Sequence, residues 1–193
     1  MNQLLLDIKQ KATILEIVEY PNPVLSQKAE PVKIFDENLK QLAINMLKTM
    51  YQAPGIGLAC PQVNISQRMF VIDTDFKREE MTNSEGRTEY QIKDQNPYIF
   101  INPEYKALSS EKIKYEEGCL SLPGIYDEVM RFKEIIVTFQ DLEGKKCELK
   151  ADGLLSICIQ HENDHLDGVV FIERMSMLKK NFYKKKVLKQ KQK

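Results

Sequence analysis

The segment KEIIVTFQDLEGKKCELKADGLLSICIQHENDHL, residues 133–166, contains the transition on which the fold turns. Lys133 to Gln140 is rich in β-branched and aromatic residues and predicts a strand. Asp141-Leu-Glu-Gly144 predicts a turn, and Lys146 to Lys150 the returning strand of a hairpin. The pattern then lengthens. Leu155, Ile159 and Leu166 follow helical spacing behind Asp152, which predicts a helix from Asp152 to Leu166 capped by that aspartate. Working outward, Arg68 to Asp73, Tyr98 to Asn102 and Ile113 to Glu117 also read as strands. Asp36 to Gln52 places Leu39, Leu42, Ala43, Met46, Leu47, Met50 and Tyr51 on one face of an amphipathic helix, with Asp36 as N-cap and Pro54 just beyond its end. A last helix is expected over Met175 to Gln190. Strands in the middle and helices at the end give α+β, with mostly antiparallel sheets around a central helix and a C-terminal helix. Residues 14–34 carry Pro21, Pro23 and Pro31 and read as an extended entry segment. Residues 74–97 are polar and read as a long loop, either mobile or a cover.

The chain has 193 residues, no internal repeat and no obvious linker, so residues 1–193 read as one domain. Residues 1–13 form an N-terminal extension with no assigned function, and residues 179–193 a basic tail. Lys plus Arg and Asp plus Glu number 28 each, which disfavours a wholly basic nucleic-acid binder and an acidic disordered chain. The zero is a cancellation: the tail from Lys179 to Lys193 has eight lysines and no acid, leaving 20 − 28 = −8 on residues 1–178. No apolar run approaches the ~20 residues of a membrane span, and Met1 to Thr13 lacks the features of a signal or transit peptide. The four cysteines, Cys60, Cys119, Cys147 and Cys158, include no C-x-x-C pair. A cytoplasmic protein with no membrane or specific DNA partner is expected, in which a functional cysteine is a thiolate ligand or a nucleophile.

The only two histidines are His161 and His165, in His161-Glu-Asn-Asp-His165. On a helix these positions share a face about 6 Å apart, so both imidazoles reach one metal ion. Glu162 stands about 100° round the helix, close enough to hold the water of such a site without being a ligand. Chance produces this pattern in roughly one chain in a thousand, against the alternative of a merely solvated polar helix face. A catalytic site wants three protein ligands and an open position. Downstream positions fit poorly: Phe171 stands where a metzincin has its third histidine, Asp167 is too close, and Glu173 is the only other acid. An upstream donor is favoured. Cys119, in Glu117-Gly-Cys-Leu-Ser-Leu-Pro-Gly124 in a turn after a strand, stands out as a candidate, though on composition alone such a cysteine is more often a small buried hydrophobe.

Three segments together resemble the peptide deformylases: Gly55-Ile-Gly-Leu-Ala-Cys-Pro-Gln62, Glu117-Gly-Cys-Leu-Ser121 and Gln160-His-Glu-Asn-Asp-His-Leu-Asp-Gly168, in order, within a similarity spanning about residues 14–180. The resemblance implies a hydrolase that removes the formyl group from the N-terminal formylmethionine of nascent polypeptides and releases formate. It implies one divalent metal on Cys119, His161 and His165: Fe2+ in the cell, with Zn2+ or Ni2+ as substitutes in preparations. Metal-bound hydroxide attacks the formyl carbon, with Glu162 as general base and then acid. By the same resemblance, Gln62 and the backbone N–H of Leu120 are oxyanion donors. Ile56 and Gly57 lie close to the substrate chain, pairing with it like an added strand. Ile56, Leu154, Ile157, Cys158 and the His161 ring line the methionine slot. Glu117 and Arg131 brace the metal loop.

Two segments depart from the common pattern: residues 74–97 are longer than in many bacterial members, and Gly124-Ile-Tyr-Asp-Glu128 lacks an arginine some members carry. The lysine-rich tail suggests ribosome docking by analogy with bacterial members that have a C-terminal helix, with the salt dependence of an RNA-rich partner. Other readings of the same residues are a small metalloprotease with a His or Glu third ligand, a ribosome- or RNA-associated binding module, and Cys119 as a covalent nucleophile.

Overall fold

Met69-Phe-Val-Ile72 forms a strand whose four side chains are all buried, so it is covered on both faces. Met69 and Val71 point to one core and Phe70 and Ile72 to another, as the period of two requires. The computed structural model describes residues 3–82 and 88–190. Its elements in chain order are α1 (Gln3–Gln10), α2 (Glu37–Gln52), β1 (Gly57–Ala59), β2 (Met69–Ile72), β3 (Lys77–Thr82), β4 (Thr88–Lys93), β5 (Tyr98–Ala107), β6 (Lys112–Cys119), β7 (Leu122–Phe132), β8 (Glu134–Gln140), β9 (Lys146–Asp152), α3 (Gly153–Leu166) and α4 (Met177–Gln190).

The main sheet has the order β1-β2-β5-β8-β9, with every neighbouring pair antiparallel. Helix α2 covers one face with Leu39, Ala43, Ile44, Met46, Leu47 and Met50, packed against Leu58, Met69, Val71 and Ile101. Helix α3 covers the other, where Cys158, Ile159 and Leu166 meet Ala59, Phe70, Ile72, Phe100, Ile135 and Val137. A separate hairpin, β6–β7, packs Leu122, Ile125 and Val129 on Phe171, Ile172 and Val187. The expected α+β class with antiparallel sheets and a C-terminal helix is what the chain forms. β1 lies at an edge of the main sheet, beside the mouth of the site.

The cap of α2 is as read: the Asp36 carboxylate accepts a hydrogen bond from the Leu39 N–H at 3.0 Å. Asp152 is different. It occupies the N-cap position of α3, but its carboxylate caps nothing. It is still the last rung of β9, paired with Glu134, and its side chain follows the strand alternation. Residues 74–97 are not a loop. They contain the β3–β4 hairpin, paired from Lys77↔Lys93 to Thr82↔Thr88; the tip, residues 83–87, lies outside the described residues. The strands have no continuous apolar face, which hid them from a reading by hydrophobic pattern. Part of the N-terminal extension is also ordered: α1 packs on α2, with Ile8 buried in the α2 core. β1 and β7 complete the strands that periodicity missed.

Candidate metal centre

Helix α3 is buried from Ser156 to Leu166, and six consecutive residues of that stretch, Gln160 to His165, are polar. Buried polar side chains cost free energy unless partnered, and most of these have partners. Gln160 exchanges two hydrogen bonds with the Phe132 backbone, at 2.9 and 2.8 Å. Asp164 accepts from Arg131 Nη1 at 2.6 Å and from Arg174 Nε at 3.0 Å. His161 Nδ1 lies 2.7 Å from Glu117 Oε2, which leaves its Nε2 for the cleft side. Glu117 in turn receives Arg131 as a two-pronged pair, Nε to Oε1 at 2.6 Å and Nη2 to Oε2 at 2.9 Å. A chain of alternating charge, buried from Glu117 through Arg131 to Asp164 and ending on the exposed Arg174, therefore underlies the histidine pair.

Cys119 arrives from the end of β6. Its Sγ lies 3.2 Å from His165 Nε2, and the donor atoms of Cys119, His161 and His165 all lie within 4.8 Å of one another. Ligands of one tetrahedral ion stand about 3.3–3.7 Å apart, given metal–donor distances near 2.0–2.3 Å. A thiolate with two imidazoles is a donor set for zinc or ferrous iron. Beside them Glu162 is 5% exposed, and its Oε2 is buried with no hydrogen-bond partner. A buried carboxylate oxygen left without a partner next to three convergent donors fits a site built to hold an ion and its water. The downstream acids are committed elsewhere: Asp167 pairs with Arg68 at 2.7 Å, and Glu173 with Lys180 and Lys184.

Electrostatics follow from burial. Desolvation pushes the Glu162 carboxyl up to about 7, although His161 pulls it down. Desolvation would also raise Glu117, but Arg131 and His161 outweigh it and hold it at about 2. His165 is held neutral, well below 6.5, chiefly by burial, the state in which an imidazole binds metal. Burial also opposes charge on His161, yet Cys119 and Glu117 raise it well above 6.5. Positive charge is favoured between those groups.

The donors open on a cleft of about 700 Å³. Ile56, Gly57, Leu154, Ile157 and Cys158 line it together with Gln62, Glu117, Cys119, Leu120, His161 and Glu162. Arg131 and His165 lie beneath it, 3% and 0% exposed. Gln62 is fixed by its own turn: Oε1 accepts from the Ala59 N–H at 2.8 Å, which turns Nε2 toward Cys119 Sγ at 3.5 Å and Ser121 Oγ at 3.4 Å. Gly57 is required by close approach, because a Cβ there would sit 2.4 Å from Glu162 Oε1. Gly57→Ala is thus expected to displace the Glu162 carboxylate and lower kcat/KM at least tenfold with metal content unchanged, since misplacement by about 1 Å can cost two orders of magnitude. Steady-state kinetics alongside metal analysis read this directly.

Sequence reasoning missed Asp164, Arg174, Ser121 and the cleft-wall aromatics Tyr115 and Tyr126. Asp164 sits inside the histidine motif, three residues after His161, and its inward position was the available signal. Replacing Arg131 by Met leaves Glu117 and Asp164 buried with fewer partners, and a cost of about 3–5 kcal/mol in urea unfolding is expected. The pH dependence has a definite sign. Glu117 is held at about 2, below its usual 4.5, so its contribution is complete above pH 4.5 and is lost as pH falls through 2. The Met variant should lose that slope.

Three convergent protein donors, an adjacent carboxylate oxygen without a partner and an open cleft are the parts that a catalytic metal centre would need. Residues 14–181 match the family model for polypeptide deformylase. A peptide deformylase of Stutzerimonas stutzeri is 44% identical over 174 residues, covering 90% of this chain and 94% of that one. One of Chromobacterium violaceum is 46% identical over 176 residues, covering 91% and 95%. Among solved structures, the peptide deformylase of Ehrlichia chaffeensis in complex with actinonin superposes with a TM-score of 0.79 at 37% identity, covering 94% of this chain and 99% of that one. That of Legionella pneumophila gives 0.76 at 37% identity, covering 93% and 96%. The chain belongs to the polypeptide deformylase family.

Proposed function

We propose that this chain removes the formyl group from the N-terminal formylmethionine of nascent polypeptides, releasing formate, and that residues 1–193 act as one catalytic unit. The observation that carries this reading is the convergence of Cys119, His161 and His165 within 4.8 Å beside the unpartnered Oε2 of Glu162. One divalent cation on those three donors would polarise the formyl carbonyl and acidify the attacking water toward a pKa of about 7; Fe2+ is the ion proposed for the cell, with Zn2+ or Ni2+ able to substitute. Glu162 takes the proton of that water and delivers it to the departing amine nitrogen, a task suited to a carboxyl poised near 7. Gln62 Nε2 and the backbone N–H of Leu120 donate to the oxygen that gains negative charge; each such donor is worth about 3–4 kcal/mol in the transition state. Glu117, braced by Arg131, holds the His161 ring through Nδ1.

Ile56 and Gly57 stand at the start of the edge strand β1. The extended substrate chain adds to that edge by main-chain hydrogen bonds, while Leu154, Ile157 and Cys158 with Ile56 and the His161 ring take the methionine side chain. The activity is assigned to the cytoplasm, in keeping with four cysteines that are all free. No helix among the described residues is long and apolar enough to cross a membrane. On α4, Lys179 is bound to Asp127, and Lys180 and Lys184 to Glu173. This leaves Lys185, Lys186 and Lys189 as the described part of the tail for a salt-sensitive contact with the ribosome; Lys191 and Lys193 lie outside the described residues. The test of the main reading is formate release from a formyl-Met peptide against a formyl-Gly peptide of the same length. A strong preference for formyl-Met is expected, and equal rates or no formate would refute it.

A further inference from the structure

The β3–β4 extension does more than protrude. Its base is bolted to the wall of the cleft formed by Ala53 to Gly57. The first bolt is Arg78 on β3, whose Nη2 donates to the carbonyl of Tyr51 at 3.0 Å and to that of Ala53 at 2.5 Å. These are among the last carbonyls of α2, which no further helical turn can satisfy. The Ala53 carbonyl also accepts from the Gly55 N–H at 2.8 Å, so one guanidinium holds the turn that starts the wall. The second bolt is Asp73, which is fully buried. Its carboxylate accepts from the Tyr51 hydroxyl at 2.6 Å, from the Asn96 N–H at 2.9 Å and from the Asp75 and Phe76 N–H groups at 3.0 and 3.2 Å. Its own N–H donates to the Ile56 carbonyl at 3.0 Å. Phe76 closes the joint edge-on against the Tyr51 ring at 5.1 Å, with Arg78 over its face at 5.4 Å.

The far side of the same wall touches the reacting groups. A Cβ on Gly55 would sit 2.7 Å from the Leu120 side chain, and one on Gly57 would sit 2.4 Å from Glu162 Oε1. The inner side of the wall is thus seated against Leu120 and Glu162, while Arg78 and Asp73 hold its outer side. We propose that Arg78 is a positioning residue, and that the β3–β4 extension is a splint fixing the Ala53–Gly57 edge in the place where the peptide chain of the substrate docks. This rests on the deformylase reading for its substrate, and its effect falls on binding of the chain rather than on proton transfer.

The test compares native protein, R78A and R78K, each with its metal content measured, on a formylated tripeptide, with amide hydrogen exchange at Gly55 and Gly57. For R78A, KM is expected to rise about tenfold with kcat within twofold. R78K keeps the charge and a single nitrogen able to donate to either carbonyl, as Nη2 does, but on a flexible stem without the planar guanidinium, and it should recover part of the loss. Exchange at Gly55 and Gly57 should be several-fold faster in R78A and intermediate in R78K. Should R78A fail to fold, R78K decides alone, since its KM and its exchange rates must both exceed the native ones. Native KM and native exchange in the folded variants would overturn the proposal, as would a fall in kcat at unchanged KM. Exchange needs no turnover, so if even the native chain releases no formate, the deformylase reading fails while the splint is still judged by the glycine amides.

Discussion

Glu162→Gln is expected to keep one metal ion per chain and to lose about 10²–10⁴-fold in kcat, the range that positioned proton transfer contributes. The substitution is nearly isosteric, and the site is buried. Its Oε1 lies against Gly57 and its Oε2 has no partner among the described residues, so no ion pair is broken by neutralising the group. The amide can hold a water by hydrogen bonding but cannot carry its proton to the amine. KM should change little, because the peptide edge at Ile56 and Gly57 and the methionine slot are untouched. A kcat within threefold of native at full metal occupancy would remove Glu162 from the chemistry.

Cys119→Ala should act one step earlier. It deletes one of three convergent donors and leaves only the two imidazoles, so an affinity for metal at least about 100-fold lower is expected, with activity lost in proportion. Cys119 is only half-buried, so truncation to Ala costs the fold little, and unfolding of the metal-free proteins should be nearly the same. The variant also separates a ligand from a covalent nucleophile. A nucleophile's removal leaves metal bound and chemistry dead, whereas a ligand's removal empties the site. Dialysis against buffered Zn2+ followed by metal analysis gives the answer without an activity assay.

The sequence carried the fold where hydrophobic period and caps agreed. α2, with its Asp36 cap, and the β8–β9 hairpin running into α3 were readable for that reason. β7 was not, because its inward positions from Ile125 are Ile125, Asp127, Val129 and Arg131, an alternation half made of charges. Those charges are inward because partners meet them there: Lys179 and Tyr183 for Asp127, Glu117 and Asp164 for Arg131. The β3–β4 hairpin failed for a similar reason, since β3 carries charge at alternate and intervening positions, the faces of β4 pair with it across the hairpin, and its anchor, Asp73, lies outside both strands. At the site, His161, Glu162 and His165 were legible because a helix converts spacing into geometry. Cys119 is 42 residues away from His161 in the chain, and no local rule brings it there; only the resemblance of three motifs did. Asp164 and Arg174 escaped altogether, because an ion chain closing over 10 and 33 residues leaves no periodic trace.

The most direct measurement of the central claim is formate release from a formyl-Met peptide as a function of metal added back to chelator-treated protein. The account predicts no activity in the metal-free chain. With Fe2+ added under anaerobic conditions, a linear rise should stop at one ion per chain. Formate release that persists through chelation, or that is absent from the fully loaded chain, would contradict it.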